Sequence, residues 1–160
     1  MAERSKHQYR TEKTLVVRCA SGFYLLDVAR VRRVVDHMTL HPSPFSVRGL
    51  AGLARFGGEP LAVFSLEALA VGEARFRDAA MTVVVIELGG DSPQRLGLAV
   101  DEALEIVSLP ETDPGMAQDS LVSGPLNIDG RQAWLVNIDV LGVQGSLDRC
   151  PGVNQAKENN

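Results

Sequence analysis

Residues 52–66 have the sequence GLARFGGEPLAVFSL, in which two runs of strand-forming residues flank the pair Gly57–Gly58. A glycine pair favours the tight turn of a β-hairpin, because glycine adopts positive φ without steric cost. Pro60 suits the start or edge of the second strand, where no backbone N–H is needed. Ser65 is a favourable N-cap and Gly72 a favourable end for the segment between them. The stretch therefore predicts a hairpin that leads into a short helix.

Upstream of this hairpin, the sequence predicts a second one. The runs TLVVRC and FYLLDV flank a turn at Ser21–Gly22. The next run, VARVRRVVD at residues 28–36, interleaves valines with arginines, and this pattern is typical of a helical turn that passes into a strand. The loop His41-Pro42-Ser43-Pro44 follows, since each proline disfavours a helical conformation in the residue before it.

The second half of the chain continues in the same style. MTVVVIEL at residues 81–88 is typical of a buried strand, and RLGLAVDEALEIVSL at residues 95–109 predicts one long strand that bends at Asp101–Glu102. Asp129–Gly130 is the strongest short hairpin signal in the chain. The run DVLGV at residues 139–143 predicts a closing helical turn.

Short strands at this spacing, roughly nine or ten of them, are typical of barrels and sandwiches. We predict an all-β fold with short helices, built as two small β-barrels that share a core. The domain is expected at residues 13–146, between a disordered arm at residues 1–12 and a flexible tail at residues 147–160. Residues at i and i+2 share a strand face, so a common core is predicted for Val84, Ile86, Leu98 and Val100.

Composition narrows the classes of function. Apolar residues make up 45% of the 160 residues, which suffices for a core. No secretory signal and no membrane-spanning run is apparent, and Cys19 and Cys150 match no disulfide framework, so a cytoplasmic protein without direct membrane insertion is expected.

Residues 1–80 hold twelve Lys or Arg against eight Asp or Glu, a balance of +4, and residues 81–160 hold four against twelve, a balance of −8. No basic stripe with interleaved aromatics accompanies this asymmetry, so nucleic acid is not an expected partner. The two signs suggest two surfaces for different proteins, or only two solvated faces.

The sequence supplies little catalytic chemistry. It has three histidines, none of which has a Cys or Glu at metal-ligand spacing: His7, His37 and His41. Cys19 fits a buried strand cysteine, and the neighbours Asp101 and Glu102 would point to opposite faces of a strand. We therefore expect no enzyme, no metal and no cofactor.

The order of these segments resembles the CheW family of chemotaxis adaptors from about Thr14 to Val143. Residues 27–34, DVARVRRV, look like the apolar run of that family that contains V-x-E-V. Residues 52–66 are similar, without a gap, to its G-x-x-x-x-R-G-x-x-x-P-V-x-D-L pattern. Residues 96–103, LGLAVDEA, look like its G-x-x-V-D-x-V segment, and residues 134–138, WLVNI, are similar to its closing strand. Each motif is weak alone, but four in this order form a strong signal.

The resemblance implies two five-stranded barrels with a groove between them and no catalytic activity. It implies two partners, the tip of a chemoreceptor cytoplasmic hairpin and the regulatory domain of a CheA-type histidine kinase. The adaptor would couple them by holding both together. Our candidate partner-binding residues are Val31, Arg33, Gly52, Arg55, Gly57, Leu61, Val100 and Asp101.

Three departures from the family pattern matter for binding. Gly57 stands where the family usually has Arg, Ser65 where it has Asp, and Arg33 where it often has Glu. The first two departures would together remove one potential charge pair, and the third reverses a charge beside the receptor-facing groove. Alternative interpretations are a divergent CheW-like protein that no longer couples a kinase, and a small-ligand-binding β-barrel protein. A hydrolase with scattered catalytic residues is a third, against which the poor supply of histidines counts.

Overall fold

A computed structural model describes residues 11–72, 80–89, 94–110 and 120–144. The described residues form ten strands, a 3₁₀ turn at Val28–Arg30 and two short helices. The strands are β1 (Thr11–Cys19), β2 (Gly22–Asp27), β3 (Val31–Thr39), β4 (Leu50–Phe56), β5 (Glu59–Ser65), β6 (Ala80–Leu88), β7 (Gln94–Val100), β8 (Glu102–Pro110), β9 (Val122–Ile128) and β10 (Arg131–Val136); the helices are α1 (Leu66–Val71) and α2 (Ile138–Gln144).

The strands form two five-stranded sheets. Sheet A has the order β8-β1-β2-β10-β9, and sheet B has the order β3-β6-β7-β5-β4. Neighbours pair antiparallel, except for the parallel pairs β10–β2 and β5–β7. The predicted all-β architecture of two five-stranded units with short helices is confirmed.

The buried apolar side chains form three clusters. The largest lies between the sheets and draws on both; it includes all four predicted core residues, each at most 2% exposed: Val84, Ile86, Leu98 and Val100. A second cluster lies inside sheet B and a third inside sheet A, because each sheet curls around its own inner face. The shared core that the sequence predicted is therefore confirmed, and we call it the central layer.

The two sheets repeat one plan. In sheet B the hairpin β4–β5 leads into α1, and in sheet A the hairpin β9–β10 leads into α2. The entry to each helix is tied back in the same way: the N–H of Ser65 donates to the Gly49 carbonyl at 2.8 Å, and the N–H of Asn137 donates to the Leu121 carbonyl at 2.7 Å. The second hairpin of each sheet, β6–β7 or β1–β2, pairs its later strand in parallel with β5 or β10.

Several local predictions are confirmed. The turn at Gly57–Gly58 has φ of 61° and 82°, and the Ser65 hydroxyl accepts a hydrogen bond from the Ala68 N–H at 3.1 Å. Gly72 ends α1 in the left-handed conformation with φ of 84°. The helical turn predicted before β3 is the 3₁₀ turn at Val28–Arg30.

Two boundaries differ from the predictions. The run at residues 95–109 is two strands in different sheets, β7 in sheet B and β8 in sheet A, with Asp101 at the crossing. The strand β1 begins at Thr11, two residues inside the predicted arm, where Thr11 and Glu12 pair with Pro110 and Leu109 of β8. The rest of the arm, at residues 1–10, and the predicted tail at residues 147–160 lie outside the described residues.

Candidate partner-binding surfaces

Three of the candidate partner-binding residues lie in the interior. Leu61 and Val100 are each 2% exposed, the first inside sheet B and the second in the central layer. Gly52 is also buried, on β4. Buried residues have no surface to offer a partner, and we remove these three from the candidate surface. The apolar motifs in which these residues lie belong to the core.

Gly52 has a role in closing sheet B. Beyond β3, the chain returns to the opposite edge of this sheet, where His41 and Leu53 form an isolated antiparallel bridge. The two residues exchange backbone hydrogen bonds, with N···O distances of 2.7 Å and 2.8 Å. The bridge joins the edge strand β4 to the segment after the edge strand β3, and Gly52 faces the His41 carbonyl at this junction.

The other candidates are at least partly accessible. Arg33, Arg55, Gly57 and Asp101 are exposed, and Val31 is half-buried against the central layer. Asp101 sits at the crossing between the sheets, where its N–H donates to the Arg18 carbonyl at 2.9 Å. Its exposed carboxylate therefore lies at the junction of the two sheets, away from the exposed arginines Arg33 and Arg55 of sheet B.

A chain of contacts crosses one end of sheet B. The Arg95 guanidinium lies over the Phe56 ring, with Cζ 5.9 Å from the ring centroid. Arg95 Nε is 3.7 Å and Arg32 Nε is 3.2 Å from the same carboxylate oxygen, Glu87 Oε2. Arg33 follows Arg32 on β3, and Arg55 precedes Phe56 on β4. We call the residues joined by these contacts the arginine end of sheet B: Arg32, Glu87, Arg95 and Phe56.

Sheet A has a smaller arrangement of the same kind. The Arg131 guanidinium lies 4.9 Å from the centroid of the Phe23 ring and donates to Glu105 at 2.8 Å. Here one arginine meets one carboxylate, so the charges balance. At the arginine end of sheet B, by contrast, two arginines share one carboxylate oxygen of Glu87.

A second surface opens where the two sheets meet. On β3, Val34 pairs with Val84, and on β8, Ile106 pairs with Leu15; both of these partners belong to the central layer. Val34 and Ile106 therefore face the same layer, yet they are 37% and 58% exposed because they lie on strands at the sheet edges. With Leu104, which is 36% exposed on β8, they form what we call the edge groove.

The edge groove was not predicted from its residues. Val34 follows the pattern of a buried strand residue, and the prediction of a single long strand at residues 95–109 hid the edge position of β8. An apolar residue on an edge strand has the same sequence pattern as a core residue. Whether other residues pack over it depends on distant parts of the chain, which the local sequence does not show. The residues of the groove lie directly after two candidate residues in the sequence: Val34 follows Arg33, and Leu104 and Ile106 come after Asp101.

The three departures from the family pattern lie at different places. Ser65 is 5% exposed and caps α1, whereas Gly57 is in the turn at the other end of β5. At about 3.3 Å per strand residue, the two positions are separated by roughly 20 Å. Gly57 and Ser65 therefore do not occupy the two sides of one charge pair, and that interpretation was wrong. Gly57 lies in the turn between β4 and β5, and Arg33 lies on β3, the strand at the opposite edge of sheet B from β4.

Cys19 is a buried strand cysteine, as the sequence indicated. It is 4% exposed, and burial, with a smaller contribution from the Asp101 charge, raises the pKa of its thiol to about 12. Burial also raises the pKa of Tyr24, although a hydrogen bond between its hydroxyl and that of Ser21, at 2.7 Å, opposes the shift. A thiol with a raised pKa is a poor nucleophile at neutral pH.

In the part of the chain that the structure describes, no three His, Cys, Asp or Glu side chains come together as metal ligands would. None of the helices in these same ranges has the length and apolar character needed to cross a membrane.

Comparisons with known proteins place this fold in context. A family model described as CheW-like domain matches residues 13–144. No curated protein matches the sequence. Among solved structures, the chain is similar to the scaffolding protein TtCheW from Thermoanaerobacter tengcongensis, with a TM-score of 0.65 and 21% sequence identity over 79% of this chain and 89% of that one. This likeness shows the fold.

Proposed function

The chain belongs to the CheW-like domain family, and on this premise we propose that it is a chemotaxis adaptor without catalytic activity. It would bind the cytoplasmic hairpin tip of a chemoreceptor and the regulatory domain of a CheA-type histidine kinase. Since both partners act at the inner face of the membrane, the proposal implies a cytoplasmic protein that does not insert into the bilayer.

The observation that carries this proposal is the edge groove. Its exposed apolar residues continue the central layer past the point where the opposite sheet stops covering it: Val34, Leu104 and Ile106. An uncovered apolar strip between two rigid sheets fits an amphipathic helix, whose apolar residues recur at i, i+3, i+4 and i+7. A receptor hairpin tip offers such helices, so we assign it to the edge groove.

Coupling in this proposal is geometric. An adaptor that binds receptor and kinase at separate surfaces raises the local concentration of each near the other. A change in the receptor then biases the kinase only if the two receptor states differ in their contacts with the adaptor or the kinase. The rigid layered core of this chain suits that role, because interfaces and packed cores transmit small shifts.

A binding titration tests the groove. A receptor hairpin fragment from the same organism is titrated against the wild type, Val34→Lys and Ile106→Lys. Each substitution places a charge where apolar contact is expected, so affinity should fall by about tenfold or more, which corresponds to roughly 1.4 kcal/mol. The melting temperature should stay unchanged, because both residues are partly exposed.

Val71→Lys is the matched control. Val71 is another exposed valine, at 52%, but it ends α1 and does not belong to the edge groove. This variant should bind the hairpin as the wild type does. Equal affinity for all four proteins would contradict the assignment of the receptor to the edge groove.

A further inference from the structure

One ion pair in sheet A joins two strands that are not neighbours. Arg131, the first residue of β10, donates from its guanidinium to Glu105 on β8 at 2.8 Å. In the strand order of sheet A, β1 and β2 stand between these two strands. Neighbouring strands are about 4.8 Å apart, so in a flat sheet the two backbones would be separated by roughly 14 Å. The side chains therefore meet because the sheet curls.

Both partners lie on the inner face of sheet A. Glu105 pairs with Val16 on β1, and Arg131 lies two residues before Ala133 on β10. Val16 and Ala133 both belong to the cluster inside sheet A. Residues at i and i+2 of a strand share a face, as do residues directly opposite on neighbouring strands. The ion pair therefore spans the concave side of the sheet.

The arginine of this pair is well supported. Arg131 directly follows the turn at Asp129–Gly130, where the Gly130 N–H donates to the side chain of Asn127 at 3.0 Å. Its guanidinium lies over the ring of Phe23, with Cζ 4.9 Å from the ring centroid, a distance at which cation and ring attract each other. Phe23 belongs to β2, the middle strand of sheet A. Arg131 therefore reaches Glu105 from a fixed base.

The glutamate, in contrast, stands on a weakly supported strand. Among the described strands, β8 pairs with β1 alone, and the pairing skips Leu104, next to Glu105. Such a bulge leaves its extra residue unpaired and bends the strand. In the same described ranges, the other side-chain hydrogen bonds between β8 and a second strand come from β1. Arg131 therefore supports β8 from a direction that its ladder with β1 does not supply.

The supported residue lies between two residues of the edge groove. Leu104 and Ile106 flank Glu105, and both are exposed. Successive Cα atoms are about 3.8 Å apart, so a displacement of Glu105 moves its neighbours as well. Ile106 pairs with Leu15 of the central layer, on the face of β8 opposite to Glu105. The ion pair and the groove are therefore on opposite faces of the same strand segment.

We propose that Arg131 is a positioning residue for the edge groove: through Glu105 it holds β8 where Leu104 and Ile106 meet a bound helix. That this helix belongs to a receptor rests on the proposed function, whereas the positioning of β8 does not. Both partners of the ion pair are partly exposed, and exposed pairs contribute little to global stability. Loss of the pair should therefore displace β8 without unfolding the protein.

The first test uses the full chain without a partner. The methyl signals of Leu104 and Ile106 are followed by ¹H–¹³C NMR in the wild type, Arg131→Gln and Arg131→Lys, with the methyls of Leu98 in the central layer as a reference. We expect both groove signals to shift in Arg131→Gln and to return toward their wild-type positions in Arg131→Lys, because lysine keeps the charge. The Leu98 signals should stay in place. Groove signals that do not respond to Arg131→Gln would overturn the proposal.

Arg18→Gln is the matched control. Arg18 forms an ion pair of similar exposure with another glutamate of β8, Glu102, at 3.2 Å. These two residues are direct partners in the β1–β8 ladder, which already fixes their positions. The groove signals of Arg18→Gln should therefore match those of the wild type. If they shift as much as in Arg131→Gln, the loss of any ion pair on β8 has this effect, and the specific role of Arg131 is wrong.

The second test measures affinity for the receptor hairpin fragment. Arg131→Gln and Glu105→Gln should each lower the affinity by about two- to fivefold. The double variant should lower it no further, because both substitutions remove the same interaction. Additive losses would mean that the two residues act independently, and would contradict positioning through Glu105.

The two tests separate this proposal from the proposed function. If the wild type binds the hairpin and neither variant loses affinity, the positioning role is wrong while the proposed function stands. If the wild type does not bind, the proposed function fails, and the methyl signals of Leu104 and Ile106 still decide whether Arg131 positions β8.

Discussion

A Cβ atom on Gly52 would lie 2.7 Å from the carbonyl oxygen of His41. That oxygen accepts the hydrogen bond from Leu53 that closes sheet B. The missing side chain therefore allows the segment after β3 to approach β4 closely enough for the bridge to form.

We predict that Gly52→Ala destabilises the protein by about 1–3 kcal/mol, the usual range for adding volume where a packed backbone cannot move freely. Chemical denaturation of both proteins measures the difference. Gly57→Asn is the control: Asn tolerates positive φ, and a Cβ at Gly57 meets nothing within 4 Å, so a small effect is expected. If Gly52→Ala is as stable as the wild type, a Cβ atom fits beside the His41 carbonyl, and the bridge does not require glycine at this position.

A charge placed in the central layer should have a larger effect on stability. Val100 is 2% exposed there, next to the exposed Asp101. An unpaired buried charge costs several kcal/mol, which approaches the total stability of roughly 5–15 kcal/mol for a domain. Val100→Asp should therefore unfold or aggregate, as circular dichroism and size-exclusion chromatography would show, whereas Asp101→Asn should behave as the wild type. A soluble Val100→Asp protein with a cooperative melt would contradict the burial of this strand.

The third prediction concerns the contribution of the α1 N-cap, Ser65, to stability. The Ser65 hydroxyl accepts the Ala68 N–H, so Ser65→Ala leaves this buried donor without its partner. Loss of such a cap costs about 1 kcal/mol. Thermal denaturation should show a lower midpoint for Ser65→Ala, and no change for Ser108→Ala on the exposed side of β8. Equal midpoints for the two variants would mean that the cap contributes nothing.

Cys19 gives a pH dependence. Burial raises its pKa from 9.0 to about 12, so between these values the unfolded chain has released the thiol proton while the folded chain retains it. The stabilising contribution is complete below about pH 9 and disappears as pH rises toward 12, with a slope of up to about 1.4 kcal/mol per pH unit. Tyr24 adds a loss of the same sign, because its pKa is also raised.

Cys19→Ala isolates the cysteine contribution. The variant loses some packing at every pH, so the informative quantity is the slope of the unfolding free energy between pH 9 and 11. We expect a shallower slope for Cys19→Ala than for the wild type. Identical slopes would show that the thiol does not titrate differently in the folded and unfolded chains.

The sequence predicted what local chemistry determines. The turns at Gly57–Gly58 and Asp129–Gly130 and the cap at Ser65 depend on a few adjacent residues, and each was found where the sequence indicated. The continuous apolar runs in MTVVVIEL and LGLAV likewise identified β6 and β7 as buried strands. These features follow from turn geometry and from the two-residue period of a strand.

The remaining features depend on contacts between distant residues. The crossing at Asp101 was interpreted as a bend, because β7 and β8 continue one β-type pattern while pairing in different sheets. Leu61 and Val100 were assigned to a surface because their motifs resemble those of a binding family, but packing from both sides buries them. The arginine end of sheet B joins three segments far apart in sequence, a juxtaposition that spacing along the chain does not reveal.

The most direct test of the adaptor role is a three-component sedimentation experiment. Vesicles that carry the receptor's cytoplasmic hairpin are mixed with the kinase, with and without this protein, and the kinase in the pellet is measured. The account predicts that the kinase sediments only when receptor and adaptor are both present, and that the double variant Val34→Lys plus Ile106→Lys abolishes this recruitment while Val71→Lys preserves it. If the protein sediments with the receptor at every concentration but the kinase stays in the supernatant, the chain binds receptors without coupling them, and the central claim is wrong.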